Sequence, residues 1–426
     1  MRLRPSRAAL AATIGVATLW GAGVLRAQMP PGVLEAASPA NQLLVQRGKY
    51  LVEAGDCVVC HTRDGGTPFA GGRAINTPFG KLYSANLTPD IETGIGQYSS
   101  AQFYRALHRG IARGGRHLYP AFPYTELTRG TPADVRAIRS YLFSLPPVRA
   151  PKPKNKLIFP AKYRALLAGW NLLFFAPGTF RPHPDKSPQW NRGAYLVEGL
   201  AHCGGCHTPR NLAGAEISSD AMAGARLAEL GEGRVQVWYA SDLRSDLHGG
   251  LRDWSTDEIV RLLKTGRTDH HGAAIGVMAE VVAHSTQHLS DADLVAIAVY
   301  LKSLPPSPHR AAPVAPAAAV MQAGQVIYQD NCQTCHQANG AGIPGVMPPL
   351  RGSIVAESAR PMTGINLVLN GGQPLPTLGA PNTFIMPNYR EKLDDGQIAS
   401  VLTYIGNAWG NRAPAVTAAN VRKRRR

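Results

Sequence analysis

The chain has 426 residues, a formal net charge of +17, and is 44% hydrophobic and 17% charged. That balance excludes a disordered polyelectrolyte and allows about three globular domains at ~100–200 residues each. Four Arg (2, 4, 7 and 26) and five basic residues from Arg422 to Arg426 account for nine of the charges, leaving +8 for the body, so a nucleic-acid-binding surface is not expected.

In chain order, Arg2, Arg4 and Arg7 precede a small apolar run, Ala8 to Val24, and Ala27 offers a cleavage residue. Residues 1–27 therefore read as a secretory signal, with an uncleaved anchor as the alternative. Residues 28–41 are a flexible lead-in. Gln46 to Val52 then predicts a helix running into Cys57-Val58-Val59-Cys60-His61. Arg192 to Val197 runs likewise into Cys203-Gly204-Gly205-Cys206-His207, and Gly324 to Tyr328 into Cys332-Gln333-Thr334-Cys335-His336. All six cysteines fall in these three motifs.

Cys-x-x-Cys-His is the covalent attachment signal for c-type haem. Two intervening residues let one helical turn present both sulfurs to the two vinyl groups on one haem edge. The next imidazole then reaches the iron. A zinc site would need a second ligand pair nearby, and a redox dithiol would need no following His. Three copies with no Cys left over predict three covalently bound haem c groups, held by Cys57, Cys60, Cys203, Cys206, Cys332 and Cys335, with His61, His207 and His336 on iron. Export agrees with this, because c-type haem is attached outside the bacterial cytoplasm.

The repeats also end alike. Asp134 to Leu142 precedes Leu145-Pro146-Pro147, Asp293 to Leu301 precedes Leu304-Pro305-Pro306, and Gln397 to Ile405 closes the third. Their apolar spacing predicts amphipathic helices, with start signals at Thr131-Pro132 and Ser290 to Asp293. A further echo pairs Tyr98 to Gly110 with Trp254 to Gly266, each a capped helix ending at Gly. The fold class expected is all-α: three tandem class I cytochrome c domains with long irregular loops, at 41–150, 190–306 and 320–412. A proline-rich connector (151–189), an Ala/Pro linker (307–319) and a basic tail (413–426) complete the chain. The apolar stretch Ala165 to Phe175 is too short for a bilayer, which needs ~20 residues. Burial between the first two domains is expected of it, with a partner- or membrane-facing patch as the alternative. The tail is expected to be a solvated, disordered end, or else to meet anionic lipid.

A distal Met would complete each iron site, its soft thioether raising the potential. Met278 is the candidate for the second haem, with His270 and His271 as substitutes; Met222, the other Met of that segment, lies too near the motif in a Gly/Ala-rich loop. Met386 is the candidate for the third, where Met347 and Met362 read as core. The first segment has no Met between Met29 and Met222, and Phe122 stands in the loop Leu118 to Tyr124 where one is expected. His117, His108 or His183 could ligate there, or the iron could bind water or stay five-coordinate. A lower potential is expected for this haem.

Gly55-Asp56-Cys57, Pro78-Phe79-Gly80, Thr88-Pro89-Asp90, Gly94-Ile95-Gly96, Arg192 to Gly199, Met278 to Val282, His284 to Gln287 and Ala408 to Arg412 carry a family likeness. From Gln46 to Pro414 the chain resembles the triheme cytochrome c subunits of bacterial periplasmic membrane-bound dehydrogenases. These serve alcohol, gluconate, sorbitol and fructose dehydrogenases, or molybdenum hydroxylases such as isoquinoline oxidoreductase and nicotinate dehydrogenase. The resemblance implies an electron-transfer subunit on the outer face of the inner membrane. It would take electrons from a large molybdenum, quinone-cofactor or flavin subunit and pass them to ubiquinone or a terminal oxidase, with peripheral membrane contact. The likeness fails at Phe122. The loop Tyr119 to Tyr124 and Ala168-Gly169-Trp170-Asn171 look more like the molybdenum hydroxylase branch. A peroxidase-like haem enzyme using the Met-less first site is the alternative function.

Overall fold

The structure, a computed structural model, describes residues 39–229, 233, 235–246, 249–307 and 313–425. The expected signal at 1–27 and part of the 307–319 linker lie outside the described residues. The chain divides into two units, Met1–Gln42 and Leu43–Arg426. Of the first, the described residues begin a helix; the second holds all three motifs.

Each motif lies between an entering and a returning helix. In the first segment α1 (Pro39–Ala54) enters, α2 (Ser100–Arg109) follows the haem motif, and α3 (Pro132–Ser144) returns. The connector carries α4 (Leu166–Phe174). The second segment repeats the order with α5 (Pro188–Tyr195), α6 (Thr256–Thr265) and α7 (Asp291–Lys302), and the third has α8 (Ala318–Asn331), α9 (Met362–Asn370) and α10 (Asp395–Ile405). The helix starts follow the sequence. Thr131 and Ser290 accept hydrogen bonds from the amides of Asp134 and Asp293, and Ser99 and Ser255 each form a reciprocal box with Gln102 and Glu258. Gly110 and Gly266 close α2 and α6 at φ 63° and 76°, a left-handed backbone that favours glycine.

One contact fixes all three helix crossings. A Cβ at Gly48 would lie 2.0 Å from the Ala137 carbonyl oxygen, at Gly193 2.0 Å from that of Ala296, and at Gly324 2.2 Å from that of Ser400. Glycine is needed at each position so that one helix backbone can touch the other.

The first two segments share one core, in which Leu51, Val52, Ile138, Leu196, Leu294 and Ile297 are buried. A reciprocal polar clasp ties them. Arg47 and the Tyr195 hydroxyl both donate to Asp134, while Arg192 and the Tyr50 hydroxyl both donate to Asp293. The third segment packs around cores of its own, centred on Ile365, Leu369 and Ile398 and on Tyr328 and Val401.

The all-α expectation is wrong. β1 (Ala74–Thr77) and β2 (Gly80–Tyr83) form a hairpin joined by Pro78 and Phe79, and β3 (Lys156–Leu157) pairs with β2. β4 (Ala225–Ala228) and β5 (Val237–Ala240) make a second antiparallel pair. The loops after the first two motifs satisfy their backbone groups by pairing, as chain packed under a buried site must.

Two more expectations change. Within 413–426 the chain forms a helix, Ala418–Arg425, with Val421 fully buried and Arg425 donating to Asp395 at 2.6 Å, so this is not a solvated end. The stretch 165–175 is α4, and none of its helical residues is buried. No helix among the described residues is long and apolar enough to cross a membrane.

Candidate haem-binding sites

The three motif histidines share one arrangement. Nδ1 of His61 lies 2.7 Å from the Ala85 carbonyl oxygen, that of His207 2.7 Å from Ser241, and that of His336 3.0 Å from Pro348. A carbonyl only accepts, so each Nδ1 carries the proton and each Nε2 keeps a free lone pair, the arrangement of a ligating imidazole. Burial holds all three below the usual imidazole range, and hence neutral, against the smaller opposing effect of the carbonyl bond. Neutral imidazole is the metal-binding form.

No two of the cysteines form a disulfide; five are half-buried and Cys335 is exposed. Burial pushes Cys57, Cys60 and Cys203 up to about 12, and Cys206 and Cys332 to about 11.

Around the third motif, Cys332, Cys335, His336 and Met386 line a single apolar cavity of about 200 Å³. Two thiols, an imidazole and a thioether around one apolar space fit a covalent haem. Met386 is held there by paired backbone bonds with Gly372 at 2.8 and 3.1 Å. Met347 lines the same cavity, next to the carbonyl that binds His336.

Met278, the candidate for the second site, is half-buried near the start of a short helix, Val277–His284, which packs against Cys57–Cys60 of the first motif. Gly276 before it carries φ 55°, and a Cβ there would strike the Trp238 ring at 2.9 Å. Met222 and one of the substitutes for Met278 are otherwise engaged. Met222 is a buried core residue whose methyl packs beside Gly204 in the motif itself. His271 bonds the Gly352 carbonyl through Nδ1, meets Glu258 through Nε2 at 3.3 Å, and stacks on Trp254.

At the first motif, Phe122 precedes a fully buried Tyr124, whose hydroxyl donates to Asn171 of α4 at 2.6 Å. His117 Nδ1 lies 3.3 Å from the amide nitrogen of the same Asn171. His108 stacks on Tyr104 and meets the Thr128 hydroxyl. His183 packs on Trp190.

Motifs one and two adjoin. His202 Nε2 is 3.1 Å from the Gly55 carbonyl oxygen, and Leu200 reaches Gly55 beside Cys57. Some residues around this junction carried no sequence signal. Arg73 forms a bidentate pair with Glu280 at 3.0 Å and also bonds the Val59 carbonyl, linking motif one to the Met278 helix. Glu216 lies in hydrogen-bond reach of Glu126; burial first, then that neighbour, raises its carboxyl well above the usual range. Only spatial proximity identifies these partners, which are 207 and 90 residues apart in sequence.

The family model for cytochrome c matches residues 321–409. The chain is 41% identical, over 408 residues, to the cytochrome c subunit of the quinone alcohol dehydrogenase of Gluconacetobacter polyoxogenes, covering 92% of this chain and 87% of that one. It is 40% identical over 403 residues to the gluconate 2-dehydrogenase cytochrome c subunit of Pantoea cypripedii, covering 91% and 90%. It is 40% identical over 395 residues to a nicotinate dehydrogenase subunit of Pseudomonas putida, covering 92% of this chain but 32% of that protein. The chain belongs to the family of dehydrogenase cytochrome c subunits. Members of this family are electron-transfer subunits that carry covalent haem c, and the resemblance read from the motifs is borne out. The expected plan of three tandem class I domains is corrected: one stretch, 321–409, matches the cytochrome c family model. The first two segments depart from it through their sheets and shared core.

Proposed function

We propose that this cytochrome c subunit holds three haem c groups and carries electrons from a large dehydrogenase subunit to ubiquinone or a terminal oxidase, at the periplasmic face of the inner membrane. Segments 41–150, 190–306 and 320–412 would each hold one group. Bound haem supplies a one-electron redox centre. Cys57 and Cys60, Cys203 and Cys206, and Cys332 and Cys335 would anchor it. His61, His207 and His336 would ligate iron, and Met278 and Met386 would supply a further ligand at the second and third sites.

One observation carries this reading. All three motif imidazoles have Nδ1 tied to a carbonyl and Nε2 free, and all three lie beside an equivalent glycine-mediated helix crossing. Carbonyls of Ala85, Ser241 and Pro348 fix the tautomer and aim of each ring. The residues around Met386 and His336 give the third site a largely apolar lining. The relatives are subunits of alcohol, gluconate and nicotinate dehydrogenases, which supports a dehydrogenase partner.

Haem quantification on the full-length protein tests the count. Three haems per chain are expected, and two after C203A/C206A. A count of one would overturn the triheme reading. Co-purification from the membrane fraction with a large subunit carrying molybdenum, flavin or a quinone cofactor is expected; purification alone would overturn the partner assignment.

A further inference from the structure

The connector exposes apolar side chains that the rest of the molecule leaves uncovered. On α4 and the turn before it, Leu172 is 86% exposed, Leu173 74% and Phe159 74%. Ile158, Tyr163 and Leu166 are exposed too. There is no charged residue from Ala165 to Phe175, and α4 buries none of its helical residues. One face is nevertheless fixed to the body: Trp170 donates to the Ala213 carbonyl at 2.9 Å and Asn171 accepts from Tyr124. The helix is held rigidly with its leucines in solvent.

Next to this helix lies a basic groove of about 540 Å³, lined by Lys152, Lys154, Lys156, Lys162 and Arg164. None of these five has a carboxylate within 4.0 Å among the described residues. Arg164 lies over the Tyr119 ring and donates to the His117 carbonyl, which orients it without neutralising it. Burial first, then the neighbouring Arg164 and Arg116, hold the Lys152 ammonium below its usual range.

We infer that α4 and this groove form the membrane-docking face of the protein, with the leucines and Phe159 among acyl chains and the five cations on the phosphates of anionic phospholipid. The inference rests on the membrane-face location proposed above and names the surface responsible. Charge complementarity selects the occupant. An uncharged, mostly apolar helix beside a lysine-lined groove matches an anionic bilayer interface, where long side chains extend their charge to the head groups. Leu172 and Leu173 stand exposed on the same stretch of chain as the five cations, and a protein partner on this face is the alternative that the vesicle test separates.

The test is flotation of the full-length holoprotein with phosphatidylglycerol-containing vesicles and with pure phosphatidylcholine vesicles. Binding to the first, weakened by salt, and little to the second is expected. L172S/L173S and K154E/K162E should each lower the partition by about tenfold, while K423E/R424E in the C-terminal helix should leave it unchanged. Haem content and reduction by a soluble donor are followed in the same variants. These separate failure of the docking face from failure of the electron-transfer role, and confirm folding. Unchanged vesicle binding in both patch variants overturns the proposal. So does loss of binding in the C-terminal variant alone, or loss of the dehydrogenase partner with vesicle binding intact.

Discussion

At the residue scale, Met386 and Met278 are the distal ligands proposed for iron. Replacing Met386 or Met278 by His exchanges a soft thioether for a harder donor, and should lower the potential of one haem by on the order of 0.1 V. Met347→Leu and Met222→Leu should move none. Potentiometric titration of each variant decides between them, and in the parent protein it should show the Met-less first site lowest of three. Glu216 offers a second prediction. Its folded value lies above its unfolded value of ~4.3, so between the two the folded state binds more protons than the unfolded one. Stability should therefore fall as pH rises through that window and level off above it. Glu216→Gln should flatten the slope, measured as urea unfolding at pH 5 and pH 8.

At the element scale the crossings depend on missing side chains. Gly193→Ala places a methyl 2.0 Å from the Ala296 carbonyl oxygen and must push α5 off α7. A cost of about 3 kcal/mol is expected, read as a shift in the denaturant midpoint; Gly178→Ala, with open space around it, should cost little. Much of this scale was legible in the sequence. The haem motifs have fixed spacing, and the helix ends carry local signals such as Ser99 with Gln102. The sheets were not legible, because strands of four residues such as Ile75 and its neighbours are too short to establish alternation, and their pairing partners are set by the loop. The stretch 165–175 was misjudged because an apolar run reads the same whether it faces a core or the outside. Arg73 and Glu280 were invisible as a pair, since 207 residues separate them and each alone looks like a solvated charge.

At the scale of the whole molecule, the reciprocal clasp makes segments one and two a single body. Asp134 and Asp293 each accept from an Arg of their own segment and a Tyr of the other. Asp293→Asn should cost about 3 kcal/mol by leaving Arg192 without its counter-charge. A double-mutant cycle of D293N with Y50F should give non-additive unfolding free energies, while Y195F with D293N should be additive. Asn171 binds the buried Tyr124 hydroxyl and reaches His117 while standing on the exposed α4. The outer helix and the loop from His117 to Tyr124, where the first segment lacks its Met, are thereby joined through one side chain. Thermodynamic reciprocity then applies: whatever factor surface attachment imposes on reduction at that site, reduction imposes the same factor on attachment. On the docking proposed above, and with a haem held at the first motif, attachment to the bilayer would then tighten or loosen with the redox state of that haem.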